Sequence, residues 1–149
     1  MKSVQSFVLL VLSLCAITII AAQPVEILPG SVNDVMMTVV TPATNTIWGI
    51  EDPQTDEEWQ VFIDAAAQLI DAATRIKAGG AGPNDSAWAK EAEWQRYADV
   101  LIESGQEIQA AARERDLDTL INVSNDKMYP PCEECHVLFH PGLQQQDNN

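Results

Sequence analysis

The sequence predicts an all-α protein, an antiparallel four-helix bundle. Three observations predict it. Four stretches carry apolar residues at helical spacing, breakers rich in glycine and proline separate them, and no strand-type alternation or internal repeat interrupts the series. A chain of 149 residues has room for one such domain, and short connections favour antiparallel neighbours.

The first helix is expected from about Ser31 to Gly49. Ser31 suits the N-cap, with Asp34 in the first turn. Val32, Val35, Met36, Val39, Val40, Ala43 and Ile47 recur on one face. Pro42 lies inside this pattern, so a kink or break is expected near Thr41. The second helix runs from about Thr55 to Ala78. Thr55-Asp56-Glu57-Glu58 is a capping-box sequence, and Trp59, Phe62, Ile63, Ala66, Leu69, Ile70, Ala73 and Ile76 make its apolar stripe. The run from Gly79 to Asp85 ends it.

The third helix is expected from about Ser86 to Arg115. Trp94, Ala98, Leu101, Gly105, Ile108 and Ala112 alternate by fours and threes, the spacing of a bundle core. Gly105 costs about 1 kcal/mol relative to alanine inside a helix. It marks either a close approach or simple tolerance. The fourth helix runs from about Asp116 to Phe139, with Leu117, Leu120, Ile121, Met128, Cys132, Cys135 and Phe139 on one face. Pro130 and Pro131 must distort it, and two helices end to end are the alternative.

The chain ends divide differently. Lys2 followed by an apolar run from Phe7 to Ala22 reads as a secretory signal peptide over residues 1–22. The run is short for a membrane span, which needs roughly 20 residues. Export to the periplasm or an equivalent compartment is therefore expected, without stable membrane insertion; an uncleaved anchor is the alternative. Residues 23–30 are a proline-containing lead-in, 31–141 the bundle and 142–149 a polar tail. Removing the signal removes Cys15 and leaves Cys132 and Cys135, both in one short motif, so no long-range disulfide framework is available. Without Lys2 the chain keeps 7 Lys and Arg against 22 Asp and Glu, a net of −15. That balance argues against nucleic acid and anionic membrane surfaces. It suits a soluble protein that meets positively charged partners, and solubility alone would also account for it.

The motif is Cys132-Glu133-Glu134-Cys135-His136. C-x-x-C-H is the pattern of c-type haem attachment. Two thiols three residues apart on a helix can add to the two vinyl groups of one porphyrin, and the adjacent imidazole then meets the iron as proximal ligand. Thioether bonds retain haem outside the cytoplasm, in keeping with an export signal. The competing readings are weaker. A thioredoxin-like redox pair lacks its β-α-β setting. A zinc site of Cys132, Cys135, His136 and His140 requires adjacent Cys135 and His136, about 100° apart on a helix, to converge on one ion. An ordinary disulfide is the last alternative. The reading adopted is one covalent haem c near the C-terminal helix.

A four-helix chain with this motif near its C-terminus resembles the class II c-type cytochromes, the cytochrome c′ group. The resemblance spans roughly Ser31 to Pro141. It rests chiefly on the motif and its location, and secondarily on the string from Val35 to Ala43 and on through Trp48 in the first helix. Pro130-Pro131 departs from the continuous helix the family would place there. The resemblance implies that the iron's second face decides function. Six-coordinate members fill it with a methionine from the first helix and carry electrons. Five-coordinate members leave it open and bind small gases such as nitric oxide. Met36 shares the face of Val32, Val39, Val40 and Ala43, whereas Met37 is turned about 100° away. Met36 is therefore the expected distal ligand, against the ordinary alternative of a core methionine. Met128 is a weaker candidate on the proximal side. His140, one turn after His136, falls on the same side of the ring.

The expected function is accordingly that of an exported monohaem one-electron carrier rather than an enzyme. Its partners would be exported redox proteins with basic docking patches. The resemblance also raises a homodimer through the first two helices. The alternative is a five-coordinate gas-binding protein, and a third option is a haem-bearing subunit of a larger assembly. Trp48, Trp59, Trp88 and Trp94 read first as core or helix-end residues, one of which could stack near the ring. Arg75, Lys77, Arg96 and Lys127 are candidate partners for haem propionates, with solvated surface charge as the simpler reading. Pro131 and Phe139 are expected to line the ring.

Overall fold

The structure is a computed structural model that describes residues 30–49 and 51–140. The expected signal segment, most of the expected lead-in and the C-terminal tail lie outside the described residues. Within these limits the protein is all-helical, with five helices and no strand. Helix α1 spans residues 32–48, α2 Asp56–Ala78, α3 Asp85–Trp88, α4 Ala92–Glu114 and α5 residues 117–139. No described helix is long and apolar enough to cross a membrane.

Helices α2 and α4 form the straight pair. Thr55 Oγ1 accepts from the Glu58 N–H at 3.2 Å, and Glu58 Oε2 accepts from the Thr55 N–H at 3.0 Å, which completes the expected capping box. Gly79, at φ 92°, closes the helix in a conformation that glycine adopts without strain. The two helices meet through Trp94 Nε1, which donates to the Ile76 carbonyl at 2.8 Å, and Gln109 Nε2, which donates to the Ile63 carbonyl at 3.2 Å. Lys77 pairs with Asp99, and Arg115 with Asp56. Residue numbers thus fall along α2 as they rise along α4. Between these contacts, a Cβ on Gly105 would sit 2.8 Å from Ile70 Cγ1 and 3.5 Å from the Ala66 carbonyl oxygen. Close approach of α2 therefore explains the glycine.

The expected third helix is divided. Glu91 is extended at φ −82°, ψ 136°, separating α3 from α4. In one continuous helix Trp88 and Trp94 would project about 120° apart. The break lets their rings stack at 5.7 Å, 27° from parallel. Buried Asp85, at the start of α3, accepts from the Val32 N–H at 2.8 Å and the Gly82 N–H at 2.8 Å. It thereby satisfies the first free donor of α1 and ties that helix to the glycine loop. A side chain on Gly82 would collide with this carboxylate.

Neither proline-bearing helix breaks. Helix α1 is π-helical over Met36–Val40 and returns to α-helix over Thr41–Trp48. The widened turn precedes Pro42, and Thr41 keeps helical dihedrals of −58° and −49°. Helix α5 does the same, π-helical over Val123–Met128 ahead of Pro130 and Pro131. The altered register leaves Ile121 38% exposed, outside the face expected for it, while Leu120, Ser124 and Met128 are buried. The core joins Ile47 of α1, Leu69 of α2, Ile108 of α4 and Leu120 of α5, all fully buried.

Candidate functional site

A cavity of about 230 Å³ lies between α1 and α5, with α2 and α4 behind it. Its α5 wall carries Met128, Pro131, Cys132, Cys135 and His136. Its α1 wall carries Met36, Val40, Thr41, Thr44, Asn45 and Trp48. Ile76, Trp94, Tyr97, Ala98 and Leu101 complete it. The four residues singled out as haem-binding, Met36, Cys132, Cys135 and His136, therefore border one space although Met36 and the motif stand near opposite ends of the described chain. Met37 points the other way and is 62% exposed.

The motif's chemistry follows from its setting. Cys132 and Cys135 are unpaired thiols, pushed up to about 11 by burial. Disulfide exchange needs the opposite, a depressed thiol pKa that supplies thiolate. His136 is held below its ordinary range by burial and, secondarily, by His140. Its imidazole is thus neutral at neutral pH, the form that ligates metals. The His136 and His140 rings are 6.3 Å apart, and His140 does not border the cavity. Among the described residues no three His, Cys, Asp or Glu side chains are gathered to hold a metal ion, which weighs against the four-residue zinc site.

Glu134, between the two cysteines, is anchored outward. Tyr97 Oη donates to Glu134 Oε2 at 3.3 Å, and Arg96 reaches the same carboxylate at 3.6 Å. The Arg96 guanidinium also lies 4.1 Å over the Tyr97 ring. This link ties the motif to α4 while Cys132, Cys135 and His136 face the cavity.

Other expectations divide. Pro131 borders the cavity, but Phe139 does not: it packs edge-on against Trp94 at 5.0 Å and Trp88 at 5.8 Å. Phe139 shares the face of Cys132 and Cys135 but lies about one turn beyond them along α5, past the end of the cavity. Trp94 and Trp48 border the cavity, whereas Trp59 pairs with Phe62 in the core. Trp48 Nε1 donates to the Ser124 carbonyl at 3.3 Å, bridging α1 to α5 at the mouth. Arg75, Lys77, Arg96 and Lys127 each pair with carboxylates of the chain itself. Thr44, Asn45 and Tyr97 are the cavity's polar wall residues that sequence reasoning missed. Their only signal was position, Thr44 one helical turn beyond Val40 and Tyr97 one turn before Leu101. Comparison of the chain with protein-family models, with curated proteins and with solved structures finds no match.

Proposed function

We propose that the chain is an exported monohaem c-type cytochrome that carries single electrons. The observation that carries this reading is the placement of Cys132, Cys135, His136 and Met36 around one largely apolar cavity. The donor set suits haem c: two thiols that would form the thioether links, and a neutral imidazole and a thioether sulfur that would ligate the iron. In this reading α1, α2, α4 and α5 are the members of an antiparallel four-helix bundle of the class II kind, and the pairing register of α2 with α4 supports it.

Haem bound there supplies a one-electron Fe(III)/Fe(II) couple. The protein's part is to hold and insulate it. Cys132 and Cys135 would fix the ring to α5, and Glu134, tethered to Tyr97 and Arg96, keeps that helix turned to the cavity. His136 presents its lone pair, and Met36 faces the cavity from the other helix. Val40, Ala98, Leu101 and Trp94 would keep water from the ring, and its ligands together with this burial would set the potential. The acidic surface, a net of −14 over the whole chain, steers the protein towards basic patches on its exported redox partners. A homodimer through α1 and α2 belongs to the same proposal, supported by exposed Met37 and Val61.

Absorption spectra of haem-loaded wild type and Met36→Ala test the assignment. The wild type is expected to be low-spin with a far-red sulfur-to-iron band that Met36→Ala loses. A high-spin wild type whose spectrum shifts on adding nitric oxide would replace electron transfer by gas binding.

A further inference from the structure

We propose that Pro42 and Pro130 are positioning residues, each imposing a π turn that holds its helix's cavity residues in one straight row. The proposal rests on the haem reading for its purpose, but its geometry stands independently. Both π turns end two residues before a proline, Met36–Val40 before Pro42 and Val123–Met128 before Pro130. The two 23-residue helices, Asp56–Ala78 and Ala92–Glu114, carry no proline and no π turn.

The cause is steric. Proline lacks an N–H, and its ring collides with the carbonyl four residues back, here Thr38 and Asp126. A π turn re-aims the preceding carbonyls, and the Thr41 N–H bonds the Met36 carbonyl, five residues back.

The consequence is register. In an α-helix, residues four apart drift by about 40° per step, so Met36 and Trp48 would project about 120° apart. The π turn absorbs about one residue and reduces that angle to about 20°. Met36, Val40, Thr44 and Trp48 can then all border the same cavity, as they do. In α5 the buried row of Leu120, Ser124 and Met128 runs through its π turn into Cys132 and His136. The prolines that seem to spoil both helices are what align them.

The test is Pro42→Ala in the haem-loaded full chain, paired with peroxide oxidation of the methionines mapped by mass spectrometry with and without haem. In the wild type, Met37 is expected to oxidise several-fold faster than Met36. In Pro42→Ala, the regular phase takes Met36 out of the row towards buried Ala43 and Ile47 and brings Met37 into line with Thr44 and Trp48, so Met37 oxidation should fall several-fold, while covalent haem on α5 stays at wild-type stoichiometry. Adding deletion of exposed Thr38 removes the extra residue and should return Met37 oxidation to its wild-type value. A variant that merely loses stability would not be rescued this way. Unchanged Met37 oxidation in folded Pro42→Ala, or a folded double variant in which Met37 stays protected, overturns the proposal. If Pro42→Ala does not fold, the double variant decides alone, and failure of both to fold also overturns it. A wild type without covalent haem would sink the haem reading and leave the oxidation comparison to judge the prolines.

Discussion

The straight pair α2 and α4 and the irregular pair α1 and α5 divide the labour of the molecule. The straight helices follow local rules: a capping box, unbroken apolar stripes and charge pairs on the flanks. Their contact is tight enough to require glycine at position 105. The irregular helices depart from those rules with prolines and π turns, and they present the two facing walls of the cavity, which Ile76 of α2 and Trp94, Tyr97, Ala98 and Leu101 of α4 close from behind. Regularity here makes the scaffold, and departure from it makes the site. Local consistency is ordinarily relaxed where function demands it.

Changes in the two pairs should therefore fail differently. The largest effect is expected from replacing Cys132 and Cys135 together by serine. Covalent haem should vanish from the intact mass, while the apo chain keeps its helical circular dichroism. Leu69→Ala, in the centre of α2 with no exposed surface, should cost about 2–5 kcal/mol in denaturant unfolding without abolishing haem attachment. If Leu69→Ala were neutral, or the cysteine variant unfolded, the division between scaffold and site would be wrong. Gly105→Ala is expected to be smaller. Overpacking against Ile70 costs about 1–3 kcal/mol, partly offset by about 1 kcal/mol of helix propensity. A stabilised Gly105→Ala would show that Ile70 yields freely.

Smaller still is the cap of α2. Thr55→Ala should lose about 1 kcal/mol. The same cap predicts a pH dependence. Backbone N–H groups of Gln54 and Thr55 hold the Glu58 carboxyl below its ordinary value of 4.5. Because the folded pKa is the lower one, its contribution is present above pH 4.5 and is lost as pH falls below that value. Urea midpoints measured across this window should decline less steeply for Glu58→Gln than for the wild type. Equal slopes would mean that the cap carries no linked proton.

Most of the scaffold was legible in the sequence because each signal was local. Thr55 and Glu58 announce one cap, Ser31 and Asp34 another, and the glycine run ends α2 where expected. What was not legible depended on contacts between distant residues. The tether of Asp85 to α1 joins residues far apart in the chain, and the break before α4, which lets Trp88 stack on Trp94, carried no proline or glycine to announce it. Pro42 and Pro130 were visible as disturbances, but a proline alone does not say whether a helix will break, kink or widen. Met36 was separable from Met37 by helical phase, and the structure leaves Met36 bordering the cavity and Met37 exposed, but the π turn that sets which wall residues Met36 joins was not visible in the sequence. The polar wall of Thr44, Asn45 and Tyr97 emerged only when α1 and α4 were brought together.

The central claim is that Cys132, Cys135 and His136 hold one haem covalently. Its most direct test is the intact mass and pyridine haemochrome spectrum of the full chain, expressed in a host that loads a control c-type cytochrome. The account predicts one haem per chain, no titratable thiol at Cys132 or Cys135, and a haemochrome with both vinyl groups saturated. A folded chain of unmodified mass with both thiols free, made beside a loaded control, would contradict it.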